Sequence, residues 1–178
     1  MSGATAKEKK KTAAHEASVQ LVTFQVGAEE YGLDIRSITE VIRPLKITPL
    51  PKMPDFMEGV INLRGVIIPI VDLRKRFALT NIISNPRTLR MVITRGSVPG
   101  APGGGKELLG LIVDTVKEVL YIPQKDIEPP PAATAGQNAE FITGMGKVGA
   151  RLIILIDISR ILSQQERTAL VEAGNAGY

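Results

Sequence analysis

Apolar residues in this chain fall in short runs, many of them β-branched, and the runs are broken by glycine, proline and small polar residues. That pattern predicts strands. Gln20–Val26 (QLVTFQV) and Glu30–Ile35 (EYGLDI) read as two strands across a Gly27-Ala28-Glu29 turn. Ser37–Arg43 (SITEVIR) reads as one or two helical turns, capped by Ser37 and stopped before Pro44. Ile47–Pro51 is an extended, proline-flanked piece, and Pro54–Glu58 a helical turn. Gly59–Asp72 (GVINLRGVIIPIVD) is a hairpin reversed at Arg64-Gly65, where glycine adopts positive φ at little cost. Pro69 lacks a ladder donor, so its strand is expected at an edge or with a bulge. Asp72 caps a short helix, Leu73–Phe77.

In the second half, Leu89–Thr94, Leu108–Val113 and Val116–Ile122 read as strands, the last with a bend, and Glu140–Val148 with Arg151–Ile156 as a hairpin. Asp157–Leu162 is a helical turn, and Ser163–Ala173 an exposed helix. Thr80–Arg87, Arg95–Lys106 (RGSVPGAPGGGK) and Pro129–Gly136 (PPPAATAG) are loops by composition.

The two halves resemble each other. Phe56, Gly59 and Asp72 recur at a shift of 85 as Phe141, Gly144 and Asp157. YGLDIRSITEVI resembles LGLIVDTVKEVL at a shift of 78, which matches Gly32 to Gly110, Glu40 to Glu118 and Val41 to Val119. The ordered series indicates duplication: two small β units with an apolar seam between them, a natural binding groove.

Composition narrows the function. The 178 residues and the 44% apolar share suffice for a folded core. There is no cysteine, so disulfides, thiolate catalysis and cysteine-ligated metals are excluded. The sole histidine, His15, lies in the tail, which leaves no histidine-based catalytic or metal site. Of the net charge of +4, the stretch 1–18 supplies +2 from four lysines and two glutamates. The remainder is only mildly basic, which argues against a nucleic-acid surface. That stretch, with its KEKKK run, reads as a solvated, disordered tail. No apolar run approaches the roughly 20 residues of a membrane span, so a soluble protein is expected, reaching membranes only through a partner. GAPGGGKE (100–107) nearly matches a phosphate-binding loop, but Glu107 replaces the magnesium-holding hydroxyl and LLGLIVD continues as a strand. Helix capping accounts for Asp72 and Asp157 without a catalytic carboxylate pair. No cofactor is expected. Arg64, on a glycine-fixed turn inside an apolar stretch, is the residue best placed for recognition, and Glu40 is a further candidate.

The series LVTFQVGAEEYGLDI, ITEVIRP, GVINLRGVIIPIVDLRKRF, LGLIVDTVKEVL and FITGMGKVGARLIILIDISRIL closely resembles the CheW family of bacterial chemotaxis coupling proteins, in order from about Gln20 to Leu162. NLRGVIIPIVDLR is its most specific part. The resemblance implies a mainly β fold of two SH3-like five-stranded barrels packed side by side, with strands able to exchange between them, short helical turns and a C-terminal helix. It divides the chain into a tail (1–18), a CheW-like domain (19–163, with units at about 19–79 and 87–163) and a C-terminal helix and tail (164–178). It implies a cytoplasmic, non-enzymatic adaptor without cofactor or metal, recruited to membrane-associated receptor arrays. Its partners would be the cytoplasmic tips of methyl-accepting chemoreceptors and the regulatory domain of the histidine kinase CheA. A same-fold adaptor in another receptor–kinase pathway, for motility or development, is the alternative.

By motif match, the receptor-side residues are Ile38, Glu40, Gly59, Arg64 and Gly65 from the first unit, with Val116 and Val119 from the second. The receptor tip would dock in the groove between barrels. The kinase contact is not assigned to residues. Three departures from the family pattern stand out: the long 95–106 loop, the lysine-rich tail, and a second hairpin that reads GMGKVGAR, so that the arginine corner occurs once.

Overall fold

The computed structural model describes residues 17–79, 85–97, 106–131 and 140–176. The strands are β1 (Ser18–Val26), β2 (Glu29–Asp34), β3 (Ile38–Ile42), β4 (Met57–Leu63), β5 (Val66–Asp72), β6 (Arg90–Ser97), β7 (Lys106–Val113), β8 (Thr115–Pro123), β9 (Ile127–Glu128), β10 (Ile142–Val148) and β11 (Arg151–Ile156). The helices are α1 (Leu73–Arg76) and α2 (Gln164–Ala176), with 3₁₀ turns at Ile35–Ser37, Gln124–Asp126 and Ile158–Arg160. The fold is mainly β. The 1–16 tail and most of the near phosphate loop lie outside the described residues; Lys106 and Glu107, at its end, open β7 as a strand.

The strands form two sheets, ordered β8-β1-β2-β11-β10-β9 and β3-β6-β7-β5-β4. The repeat is visible in the pairing. Hairpin β4–β5 joins the second half through parallel register Ile70↔Gly110, and hairpin β10–β11 joins the first half through Leu155↔Gly32. Each sheet is thus assembled from both halves of the chain. The six-stranded sheet has one strand more than the five expected, but β9 has a counterpart. It pairs Glu128 with Met145, and in the other sheet Thr48 bridges Val60, which is Met145 at the repeat shift.

The sequence-based assignments need correcting in four places, one of them the 95–106 loop, whose ends Arg95–Ser97 and Lys106 pair as strand residues of β6 and β7. Ser37–Arg43 is not helical: a 3₁₀ turn is capped by the Asp34 side chain, and β3 begins at Ile38. The Ser37 hydroxyl donates instead to the Asp34 carbonyl at 2.7 Å. Ile38, Thr39, Val41 and Ile42 are β-branched and favour the strand, which gains a partner in β6 that the local sequence does not reveal. Pro54–Glu58 is not a helical turn: a single turn is closed by Met57 N–H to Pro54 carbonyl at 2.9 Å, and Met57 and Glu58 already belong to β4. Pro69 is on an internal strand: β5 pairs with β4 and β7, and the β7 register starts one residue later, at Ile70.

The continuous apolar runs are explained by burial on both faces. Met91 and Ile93 enter one core with Ile61, Ile68, Ile70 and Ile112, while Val92 between them enters another with Phe24, Tyr31, Val71, Leu111 and Phe141. Leu21, Ile122, Ile153 and Leu155 form a third. Two cores are private to one sheet each, and the large one is shared. The shared core packs the two units against each other. Tyr31 stacks on Phe77 at 4.7 Å and Phe77 on Phe141 at 4.9 Å. Burial pushes the Tyr31 hydroxyl up to about 12.

Candidate functional site

The turn at Arg64-Gly65 is a tight two-residue reversal with both residues at positive φ, 51° and 85°. A primed turn of this kind matches the twist of its strands and holds what it carries in one direction. Asn62 secures it, its Oδ1 accepting from Gly65 N–H at 2.8 Å. Arg64 is 70% exposed and donates to Glu40, whose side chain is 28% exposed. Two residues 24 apart in sequence, both singled out from the sequence, meet in one ion pair. Glu40 lies on β3 and Arg64 on the β4–β5 hairpin, at opposite ends of the five-strand order, so this sheet curls until its ends come within reach.

The other candidates divide by burial. Gly65 is at the exposed corner, and a Cβ there would meet nothing. Gly59 is buried: its φ is 135°, and a Cβ would collide with the Thr48 carbonyl. Gly59 therefore positions the 43–54 segment against β4. Ile38 and Val116 are half-buried against the shared core, one from each half. Val119 is 46% exposed on β8. The structure pairs Arg64 with Glu40 and packs Ile38 and Val116 on a common core, whereas Gly59 sits apart beneath the 43–54 segment.

The sequence reading missed Arg151. It donates to Glu118 at 2.6 Å and to Glu30 at 3.1 Å. The Arg151 hydrogen bond, outweighing burial, holds the Glu30 carboxyl below its ordinary value, and the Arg151 guanidinium is shifted upward in turn, chiefly by Glu30. Glu118 is the counterpart of Glu40, so the arginine–glutamate pair occurs in both units even though the arginine corner occurs once. Exposed apolar residues repeat as well: Val41 and Ile67 match Val119 and Leu152 at shifts of 78 and 85, and all four are at least 40% exposed. The Glu40–Glu118 match was the available signal.

A buried ion network sits near α1. Asp72 caps the helix through Arg74 N–H at 2.9 Å and pairs with the Arg74 guanidinium at 2.9 Å, and Arg74 lies 3.8 Å from Asp114. Asp114 also accepts from Gly27 N–H at 2.7 Å. These carboxylates have structural partners, and among the described residues no group of three or more His, Cys, Asp or Glu side chains is placed to hold a metal ion. Among the described residues no helix is long and apolar enough to cross a membrane.

Two interlocked sheets, with small exposed apolar and ion-paired patches at their margins, define a β scaffold whose distinctive residues face outward. Residues 20–166 match the CheW-like domain family. The chain belongs to the CheW family of chemotaxis scaffold proteins. It is 37% identical to the chemotaxis protein CheW of Klebsiella aerogenes over 153 residues, covering 86% of each chain. It is 34% identical to that of Treponema pallidum over 156 residues, covering 86% of this chain and 88% of the other. The crystal structure of the scaffolding protein TtCheW from Thermoanaerobacter tengcongensis is similar at a TM-score of 0.70 and 38% identity, over 83% of this chain and 94% of that one.

Proposed function

We propose that this chain is a non-enzymatic adaptor that couples the cytoplasmic tips of chemoreceptors to the regulatory domain of the histidine kinase CheA. It acts in the cytoplasm and joins membrane-associated arrays through the receptors. The observation that carries the reading is the Arg64–Glu40 corner. An arginine 70% exposed, on a turn with no freedom to drift, offers directional donors to polar or acidic side chains of a docking helix pair. An exposed pair of this kind contributes little to folding, so its rigid support is better explained by recognition than by stability.

Ile38, Glu40, Arg64 and Gly65 form the first-unit part of the receptor contact. Val116 and Val119 supply apolar surface from the second, and Gly59 acts indirectly by seating the 43–54 segment. The kinase domain binds elsewhere, so one charge reversal should separate the partners. Arg64→Glu is expected to weaken binding to a receptor-tip fragment by tenfold or more while leaving CheA regulatory-domain binding unchanged, both read by calorimetry. If the wild-type chain binds neither fragment at micromolar concentration, the reading is wrong.

A further inference from the structure

We propose that the segment between β3 and β4 is a preorganised cationic clasp that grips an acidic stretch of the partner bound at the Arg64–Glu40 corner. The inference rests on the adaptor reading above and extends its receptor site to Arg43, Lys46 and Lys52.

Val41–Pro54 (VIRPLKITPLPKMP) contains three cations and no acidic residue. Arg43, Lys46 and Lys52 are all exposed, and among the described residues none of them meets a carboxylate. This sets them apart from Arg64, Arg74, Lys75 and Arg151, each held by a named acid. The nearest acids in sequence are already engaged or lie beyond the segment: Glu40 holds Arg64, and Asp55 follows Pro54.

The segment is built rather than loose. Ile42 and Ile47 pack on the core of the five-stranded sheet, and Met53 on the shared core. Thr48 exchanges two backbone hydrogen bonds with Val60, at 2.8 and 2.9 Å. Pro44, Pro49, Pro51 and Pro54 each fix φ and leave little backbone entropy to lose on binding. Gly59 is glycine because any Cβ would strike the Thr48 carbonyl. Leu45, between the Ile42 and Ile47 anchors, and Val41, at the end of β3, are each 40% exposed in the same stretch as the three exposed cations.

Apolar side chains next to unpaired, rigidly displayed cations fit an amphipathic protein segment bearing carboxylates. Chain connectivity ties the β3–β4 segment to both strands of the corner: it leaves β3 after Glu40, and its Thr48 bonds to Val60 on β4, the strand that leads to Arg64. An occupant touching the Arg64 corner has the clasp alongside it.

The test is calorimetric titration of a receptor-tip fragment into the full chain and into the triple variant R43S/K46S/K52S, at about 50 mM and 300 mM salt. Wild-type affinity should fall steeply with salt. The variant should bind about tenfold more weakly at low salt and respond much less to added salt, with CheA regulatory-domain binding unchanged. K46S alone, which removes no proline or anchor, should show a smaller shift in the same direction and keeps the test open if the triple variant unfolds. Wild-type affinity and salt response in both variants would overturn the clasp. So would loss of binding to phosphatidylserine vesicles with the fragment unaffected, because the occupant would then be lipid. If R64E abolishes fragment binding while the clasp variants do not, only the clasp falls; if the wild type does not bind the fragment, the adaptor reading falls with it.

Discussion

Arg151 donates to Glu118 at 2.6 Å, and Glu118 is the repeat counterpart of Glu40, the acid that Arg64 holds in the other unit. The two arginines are not counterparts. At the repeat shift Arg64 falls on Gly149 and Arg151 on Val66. Each unit thus reaches the same acid from a different hairpin position: the first from the turn itself, the second from the opening residue of β11. The duplicated frame kept the acid and relocated the base. In the second unit Arg151 also engages Glu30 on neighbouring β2, so its pair is tied into the sheet, whereas among the described residues Arg64 meets the Glu40 carboxylate alone and remains largely in solvent.

That difference predicts a division of labour. Arg151→Ala should destabilise the fold by about 1 kcal/mol, the scale of a partly exposed ion pair, and Arg64→Ala by less. Glu30 is 11% exposed and would lose its charged donor, whereas Glu118 at 47% can turn to water. The effect depends on pH. The Glu30 carboxyl sits below its ordinary 4.5, so it binds a proton more weakly in the folded chain than in the unfolded one. Its stabilisation is complete above the unfolded value and lost as pH falls through the folded one. Urea denaturation should therefore show wild type and Arg151→Ala differing at pH 7, with the gap narrowing as pH falls below 4.5. A gap that does not narrow at all on acidification would contradict the assignment.

The two glycines of the first hairpin should respond very differently to alanine. Both have positive φ, but Gly65 faces open space, so Gly65→Ala carries backbone strain alone, about 1 kcal/mol. Gly59→Ala adds a collision with the Thr48 carbonyl, a backbone atom that can yield only if the 43–54 segment moves. It should cost several kcal/mol, or expose the segment to proteolysis. Thermal unfolding of both variants, with limited proteolysis between β3 and β4, measures this directly. Equal melting temperatures would mean that the segment is not anchored through Thr48.

Much of the framework was legible because duplication and β-branched runs are local signals. The hairpin reversed at Arg64-Gly65, the capping by Asp72 and Asp157, and the equivalence of Gly32 with Gly110 all reappear in the structure. The repeat extends to single hydrogen bonds: Asp72 N–H to Phe56 carbonyl and Asp157 N–H to Phe141 carbonyl are both 2.8 Å. What failed was non-local. SITEVIR has helical spacing, and only its pairing with β6, about fifty residues on, makes it a strand. Pro69 looked like an edge residue because the sequence does not reveal β7 arriving in parallel one residue later. Arg151 went unnoticed because alignment compares positions, while an ion pair requires only that two side chains reach one another.

Asn62 should act on binding through the turn. Its Oδ1 is the acceptor for Gly65 N–H, and Arg64 beside it holds an uncommon φ of 51°. Asn62→Ala removes that acceptor from an exposed turn at a cost of about 1 kcal/mol. It should weaken receptor-fragment binding in the same direction as Arg64→Ala but less, since the arginine is still present and only its aim is loosened. Asn62→Asp keeps an acceptor oxygen and should restore most of the affinity. Calorimetry on the three variants checks the order; an Asn62→Ala variant with wild-type affinity would show that the turn holds its shape without the bond.

Arg76, from α1, ties together the repeat-related phenylalanines. Its guanidinium lies 5.0 Å from the Phe56 ring and 5.4 Å from the Phe141 ring, while its Nε donates to the Ile161 carbonyl at 2.8 Å. Glu166, 4.0 Å away, stands at the start of α2, where Ser163 and Glu166 bond reciprocally to each other's backbone N–H at 3.1 Å as a capping box. One cation thereby links both halves of the duplication to the C-terminal helix, and with its side chain only 15% exposed these interactions are largely shielded from solvent. Arg76→Leu keeps apolar bulk but leaves the Ile161 carbonyl without this donor and Glu166 without its cation, so a loss of about 2 kcal/mol is expected. Hydrogen exchange should localise the effect: amides of α2 should exchange much faster in the variant, while those of β4 and β5 change little. Uniform acceleration across both sheets would instead make Arg76 a determinant of global stability, with no particular hold on the helix.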